Sequence, residues 1–458
     1  MNFGHIKNIH FVGIGGIGMS GIAEILSNYD LMISGCDLKS SAITDRLVRL
    51  GIPVAIGHDE RHLADADLVV ISSAVRQESP EVAHAREINL PVVRRAEMLG
   101  EIMRLKRGIA IAGTHGKTTT SAMTALVLSD AGLDPTLIIG GVLRNIDSSA
   151  RLGTGEFLVV EADEYDRSFL TLEPSLAVIT SIEADHLDCY RDLDDIRDAF
   201  AQFARRVPFY GSVIGCIDDD NVRALLDSLP RRSIRYGLGE EASLRAVDLQ
   251  FDTPGTHFTV ERSGESLGTV QLRVPGSHNV RNALAAIAVA FEIDVPFETA
   301  AASLEKFTGV ERRFQILGEW RGAIVVDDYA HHPTEIAVTL EAARRSYPGR
   351  RLVALFQPHL YSRTRDFSRE FADSLQRADL AFVSQIYPAR EDPIEGISSS
   401  LITEAARKLG AENVKLMGGE IDELVEQLRS LLGSNDLFLT MGAGDINGVG
   451  QALVEGES

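Results

Sequence analysis

The sequence predicts an α/β protein of three units in series, a Rossmann-like unit at each end and a phosphate-loop unit between them. Three observations carry this expectation. Apolar strand-length segments alternate with helical ones, two glycine-rich turns each follow such a strand and open a helix, and 458 residues are too many for one ordinary core. About three domains is the expectation at this length. No internal repeat or low-complexity linker interrupts the alternation.

The first unit is expected over residues 1–106. Residues 9–12 read as a strand, Gly13-Ile14-Gly15-Gly16-Ile17-Gly18 as a turn, and 19–26 as the helix it opens. Further strands are read at 33–37, 54–56 and 68–73. A G-x-G-x-x-G turn alone is a weak signal: it serves close packing of small residues, or pyrophosphate binding at a helix N-terminus, and a dinucleotide is only one such ligand. Asp37, at a strand end, fits either a bond to a ribose hydroxyl or the start of a turn. Lys7 before the apolar segment 9–19 loosely imitates a secretory signal. The glycine density, the lack of an Ala-x-Ala pattern and Glu24 favour strand, turn and helix instead.

The second unit, residues 107–312, carries the most informative stretch. Residues 108–112 form an apolar strand, followed by Gly113-Thr114-His115-Gly116-Lys117-Thr118-Thr119-Thr120, with a helix beginning among the threonines. Backbone N–H groups at such a turn face anionic oxygens, the lysine neutralises charge, and the next hydroxyl reaches a magnesium ion. The loop is a shortened variant, since Ile111 stands where the general pattern has glycine. Strands are expected at 158–161 and 176–180, then polar, strand-rich sequence around 231–275 and a helix over 282–292. Glu161, emerging at a strand end within Glu161-Ala162-Asp163-Glu164, pairs with Thr118 as hard oxygen ligands for magnesium. His186, flanked by Glu183, Asp185 and Asp188, either joins a second metal site or faces solvent beside a helix capped by Asp185. His278, Asn279 and Asn282 read by themselves as a helix start.

The third unit, residues 313–458, is expected to place strands at 323–327, 351–356, 380–384 and 437–440, the last followed by the glycine turn 441–446. Composition bounds the partners. A net charge of -21 repels a phosphate backbone, which disfavours nucleic acid. No apolar run reaches the roughly 18 residues that cross a bilayer. Cys36, Cys189 and Cys216 have neither metal nor redox spacing, and a reducing cytoplasm is the expected compartment.

Taken in order, Gly13–Gly21 with Met19 and Ser20, the GTHGKTTT loop, Glu161–Glu164, Glu183–Asp188, Gly276-Ser277-His278-Asn279, Glu311-Arg312-Arg313-Phe314 and Asp327-Asp328-Tyr329-Ala330-His331-His332-Pro333 resemble the Mur ligases over almost the whole chain. The resemblance implies an N-terminal Rossmann-like domain for a UDP sugar, a central P-loop ATPase domain, and a Rossmann-like C-terminal domain for an amino acid. It implies that Gly13, Gly15, Gly16, Ile17, Gly18, Asp37, Ser72 and Ser73 meet the UDP sugar. Gly113, Thr114, His115, Gly116, Lys117, Thr118 and Thr119 would meet ATP, joined by His278, Asn279, Asn282 and Arg313. Tyr329, His331, His332 and Arg363 would meet the amino acid. A guanidinium fork suits its carboxylate. Thr118, Glu161 and His186 would hold magnesium, two ions in all, and Lys117 and His331 would act in catalysis. Two departures are visible: Leu360 stands where some members carry arginine, and Arg205–Gly211 offers no lysine for carbamoylation.

The implied reaction is ATP-dependent ligation of L-alanine to the lactyl carboxylate of UDP-N-acetylmuramate through an acyl phosphate, in bacterial peptidoglycan synthesis, by a cytoplasmic monomer or weak homodimer. A ligase that attaches a recycled tripeptide to the same sugar is the related alternative. An NAD-dependent dehydrogenase would explain the first glycine loop and leave the second without a task.

Overall fold

The computed structural model describes residues 3–456 except 73, 77, 146, 147, 253, 254 and 390. It contains three sheets. The first is wholly parallel, in the order Val54–Ile56, Met32–Asp37, Asn8–Val12, Leu68–Ile71, Val92–Arg94. Asn8–Val12 is therefore the strand at which the order reverses, and the first glycine turn leaves its C-terminal end, where α/β sheets bind ligands. The strand Leu68–Ile71 is fully buried along its length, as a strand covered on both faces must be.

The second sheet has ten strands, ordered Glu265–Leu272, Gly255–Arg262, Leu244–Asp252, Ser233–Gly237, Ser212–Cys216, Leu176–Ile179, Arg107–Ala112, Phe157–Glu161, Thr136–Leu143, Ser148–Arg151. The third has six, ordered Gln315–Trp320, Ala323–Asp328, Asp436–Met441, Arg351–Phe356, Leu380–Val383, Val414–Leu416, and only its edge pair Gln315–Trp320 and Ala323–Asp328 is antiparallel. By compactness the chain falls into two units. One holds residues 1–246, 260–267 and 281–304, the other 247–259, 268–280 and 305–458.

In the first of these units, the five-stranded sheet and the parallel part of the ten-stranded sheet share one apolar core, with Ile9, Phe11, Ile22 and Leu26 in the same cluster as Ala110, Val160, Phe169 and Phe200. Two glycines permit that approach. A Cβ on Gly21, in the helix Ile17–Ser27, would stand 2.8 Å from the Ala150 methyl, and one on Gly100 would stand 2.9 Å from the Thr171 carbonyl oxygen. In the second unit, Val326, Leu340, Phe356, Phe371 and Leu439 form the core on one side of the six-stranded sheet, and Trp320, Val325, Leu355 and Phe438 on the other.

Several element bounds differ from the sequence reading. The helix after the phosphate loop begins at Lys117, and the one expected over 282–292 begins at Ser277. The strand expected over 68–73 stops at Ile71, and Ser73 lies outside the described residues. The strands Val92–Arg94 and Thr136–Leu143 went unread, the first because three residues show no periodicity, the second because Gly140 and Gly141 interrupt it. No helix among the described residues is long and apolar enough to cross a membrane.

Gly35 tests the tightness of the first sheet, since a Cβ there would meet Ile14 Cδ1 at 2.5 Å and the Phe11 carbonyl oxygen at 2.8 Å. Gly35→Ala should destabilise the chain by about 1–3 kcal/mol through overpacking. A urea midpoint equal to that of the wild type would contradict the packing described.

Candidate active site

The centre of the site is Lys117, the first residue of a helix whose cap, Gly116, has φ 79°. The turn needs glycine twice. Gly116 takes a left-handed conformation beside Asn282 Oδ1, and Gly113, at φ 137°, passes so close to Thr180 that a Cβ would lie 2.0 Å from its hydroxyl oxygen. The backbone thus folds the Lys117 side chain back over its own loop. Its Nζ donates to the carbonyls of Gly113 at 2.6 Å and Thr114 at 3.2 Å, and to Glu164 Oε1 at 2.9 Å. Glu164 is itself buried, 3% exposed.

Burial opposes both charges, with different outcomes. The Glu164 carboxyl is pushed up to about 7 by burial, which the Lys117 ammonium only partly offsets. The lysine's own burial is outweighed by Glu164, Asp163 and Glu161, so its proton is held more tightly than usual. Lys117 therefore stays a cation.

The neighbouring strands bring the other groups. Glu161 ends the strand beside Arg107–Ala112, level with Ile111. Its Oε1 accepts from the Thr118 hydroxyl at 3.1 Å and its Oε2 from the Gly140 amide at 2.8 Å. The structure thus joins the two residues expected to share a magnesium ion. On the other flank, after the strand Leu176–Ile179, the Glu183 amide donates to Thr114 Oγ1 at 2.8 Å, and His115 Nε2 is 3.6 Å from Glu183 Oε2. His186, at φ 53°, sets its Nε2 3.7 Å from Glu164 Oε1 and 3.8 Å from Asp185 Oδ2. No helix starts at Asp185; its Oδ1 accepts from the His186 amide within a turn, and the next helix is Leu193–Arg205 with Asp192 as its cap. Asn282 receives a hydrogen bond from Thr120 at 3.1 Å, behind the loop, while Thr119 is half-buried in the first helical turn.

The first glycine loop is held from beneath. The Gly13 and Ile14 amides donate to the Cys36 carbonyl at 2.9 and 3.1 Å, and the Gly15 amide donates to Asp37 Oδ2 at 2.9 Å. Asp37 thereby helps to hold the loop, and its other oxygen, Oδ1, accepts from the Lys39 amide at 3.4 Å in the turn that follows its own strand. Gly16 caps the helix that Ile17 opens, without a side-chain cap, and a Cβ on Gly18 would meet Arg95 at 2.7 Å. Ser72 lies beside Gly13 and lines a cavity of about 320 Å³ with Arg94, Arg95, Asp163, Tyr165 and Arg167. Arg95 and Glu164 are groups here that the sequence reading did not single out. Arg95 follows a strand too short to read, and Glu164 sat in an acidic run in which Glu161 drew the metal role.

In the second unit, Arg312 and Arg313 both stack on the Tyr329 ring, at 5.0 and 5.2 Å. Arg312 also bonds Asp327 and the Gly442 carbonyl, and Arg313 is 3.9 Å from Glu335. Asp328, pushed up to about 6 by burial, accepts from the Phe314 and Ala330 amides. His331 Nδ1 lies 3.0 Å from the Tyr329 carbonyl oxygen and 3.3 Å from Glu335, and its ring faces His359 at 6.0 Å. His359 is 3.4 Å from Arg363, which is buried in the short helix Tyr361–Asp366. Tyr329, His331 and Arg363 are thus linked through His359. His332 caps the helix Pro333–Ser346 with its ring nitrogen. His278 and Asn279 open the helix Ser277–Glu292, where Asn279 donates to the Pro275 carbonyl at 2.7 Å.

Because burial raises the Glu164 carboxyl from its ordinary 4.5 to about 7, the folded chain keeps a proton there that the unfolded chain releases. This contribution to stability is complete below about pH 4.5 and is lost as pH rises through about 7. Urea unfolding across that window should show wild type losing stability relative to Glu164→Gln. A difference between the two proteins that stays flat with pH would overturn the assignment.

Three family descriptions match in chain order: "Mur ligase family, catalytic domain" over residues 8–107, "Mur ligase middle domain" over 111–290, and "Mur ligase, glutamate ligase domain" over 312–444. The chain is 49% identical to a UDP-N-acetylmuramate–L-alanine ligase of Pelobacter propionicus, covering 99% of this chain and 98% of the relative. It is 50% identical to the protein of that name from Myxococcus xanthus, covering 98% and 95%. Among solved structures, a UDP-N-acetylmuramate–alanine ligase of Thermotoga maritima superposes with a TM-score of 0.82 at 30% identity, covering 99% of both chains. A murein peptide ligase of Psychrobacter arcticus gives 0.73 at 26% identity, covering 98% of both. The chain belongs to the Mur ligase family.

Proposed function

We propose that this chain joins L-alanine to the lactyl carboxylate of UDP-N-acetylmuramate, with ATP going to ADP and phosphate, in peptidoglycan synthesis. The observation that carries the reading is the Lys117 cradle, a half-buried cation at a helix N-terminus between two carboxylate-bearing strand ends, in a chain about half identical over its length to L-alanine ligases. We read residues 1–106 as the UDP-sugar domain, 107–312 as the ATP domain and 313–458 as the amino-acid domain, acting in the bacterial cytoplasm.

A carboxylate is a poor acylating agent. Its oxygen therefore attacks the γ-phosphorus of ATP, the bond to the ADP oxygen breaks, and an acyl phosphate forms. Lys117 stabilises the charge shifting onto the leaving oxygen, with the loop amides behind it. Thr118 and Glu161 present hard oxygens suited to magnesium, with His186 3.7 Å from Glu164, and magnesium, when bound, would supply further neutralisation of phosphate charge. Arg95 at the Gly18 helix start is our choice for the pyrophosphate of the sugar nucleotide. The amine then attacks the acyl carbon and inorganic phosphate leaves. His331 has Nδ1 engaged with the Tyr329 carbonyl and Glu335, the tautomer that leaves Nε2 as the basic nitrogen for the amine proton. Arg363 receives the alanine carboxylate.

Lys117→Ala should abolish ADP formation while leaving the fold intact by circular dichroism; alanine-dependent ADP release from the variant would sink the mechanism. Phosphate release with UDP-N-acetylmuramate and ATP should be greatest with L-alanine among L-alanine, glycine, L-serine and a tripeptide. A tripeptide preference would replace this reading by that of a recycling ligase.

A further inference from the structure

The first sheet buries a second set of chemically distinctive side chains. His10 lies on the strand Asn8–Val12, Cys36 on Met32–Asp37, His58 after Val54–Ile56, His62 in the turn Glu60–Leu63, and Glu81 in the helix Pro80–Glu87. Glu81 and Cys36 are 0% exposed and His10 is 2% exposed. One oxygen of Glu81, Oε1, is approached by the Asp59 amide at 2.9 Å, His58 Nδ1 at 3.1 Å, His62 Nδ1 at 3.2 Å and Cys36 Sγ at 3.2 Å. The other, Oε2, is buried with no hydrogen-bond partner, and so is His10 Nε2.

That arrangement is poor as a hydrogen-bond network and good as a ligand shell. A buried carboxylate ordinarily has a full cation and uses both oxygens; among the described residues the charged-type partners of Glu81 are two imidazoles. The potential ligand atoms of Cys36, His58 and Glu81 lie within 4.8 Å of one another, as do those of His10, Cys36 and His62. One thiolate, imidazoles and a carboxylate suit a borderline divalent ion that favours tetrahedral geometry.

We propose that Cys36, His58 and Glu81 bind a zinc ion, with the imidazole pair His62 and His10 supplying the fourth ligand. Four chain segments, from residues 10 to 81, would be tied at one point. Cys36 also carries the carbonyl that holds the Gly13 and Ile14 amides, so the ion would brace the strand from which the first glycine loop hangs. His62 and Ser34, the latter bonded to His10, line a neighbouring cavity of about 600 Å³. The sequence hides the site because its ligands fall at 10, 36, 58, 62 and 81, with no local spacing.

Cobalt(II) titration of the chelator-treated full-length chain is the test, since a cobalt–thiolate bond has a charge-transfer band. The band should saturate at one equivalent, be displaced by zinc and survive millimolar magnesium. It should persist in the double variant Cys189→Ser/Cys216→Ser and vanish in Cys36→Ser. Glu81→Gln should weaken zinc at least about tenfold with an unchanged far-UV spectrum. Zinc should raise the melting temperature of wild type by a few degrees. No band, a band lost in the Cys189/Cys216 variant, or a band that survives Cys36→Ser would overturn the proposal. The double variant gives an answer even if Cys36→Ser does not fold.

Discussion

An ammonium group taken out of water must find charge and hydrogen bonds at once, and Lys117 meets that demand in a way that fixes much around it. Its partners are two carbonyls of its own loop and the carboxylate of Glu164. Each imposes a condition. The carbonyls are within reach only because Gly113 and Gly116 adopt positive φ. Glu164 is in place only because the strand Phe157–Glu161 lies directly beside Arg107–Ala112, and the turn after it is anchored by Tyr190, whose hydroxyl donates to the Glu164 carbonyl at 2.6 Å. A shift of one strand in the sheet order would leave a buried, uncompensated lysine, at a cost of several kcal/mol. Burial leaves the Glu164 carboxyl raised to about 7, so the lysine's one side-chain partner is a carboxylate close to protonation.

The same logic sorts the acidic residues at the sheet ends. Asp37 spends one oxygen on the Gly15 amide, and Asp328 spends both on the Phe314 and Ala330 amides. These hold backbone in shape. Glu161 differs: a hydroxyl, that of Thr118, and the exposed Gly140 amide each give it one donor. A carboxylate whose partners are a hydroxyl and an exposed amide is easily turned to a cation, whereas one locked by buried amides is not.

How much could be read beforehand follows from where each signal is stored. The phosphate loop, the strands on either side of it and the pairing of Glu161 with Thr118 were legible, because strand, glycine and lysine are contiguous and the carboxylate falls at a predictable strand end. Glu164 was visible as a residue but not as a partner: choosing it over Asp163 requires the irregular turn Tyr165–Thr171, in which Asp166 and Arg167 both take φ of 54°. Arg95 was illegible for a different reason. It reaches Gly18 across the sheet, and the strand Val92–Arg94 that delivers it is shorter than one period of any pattern. His332 shows the converse. Its motif suggested a substrate contact, and the fold uses its ring nitrogen to cap a helix, a task that sequence assigns more readily to Ser, Thr, Asp or Asn.

The two glycine loops therefore differ in kind although both join a strand to a helix. The second contains its own cation, so that its shape and its charge are set by one side chain four residues from Gly113. The first contains none: Gly13–Gly18 is shaped by groups delivered from other strands, the Cys36 carbonyl and the Asp37 carboxylate beneath it and Arg95 above. Its geometry is thus only as firm as the strand Met32–Asp37. Cys36 sits on that strand with its side chain directed into the His58, His62 and Glu81 cluster and its carbonyl directed to the loop. A restraint on the Cys36 side chain therefore also restrains the carbonyl that receives the Gly13 and Ile14 amides, so the cluster and the first glycine loop share one strand residue.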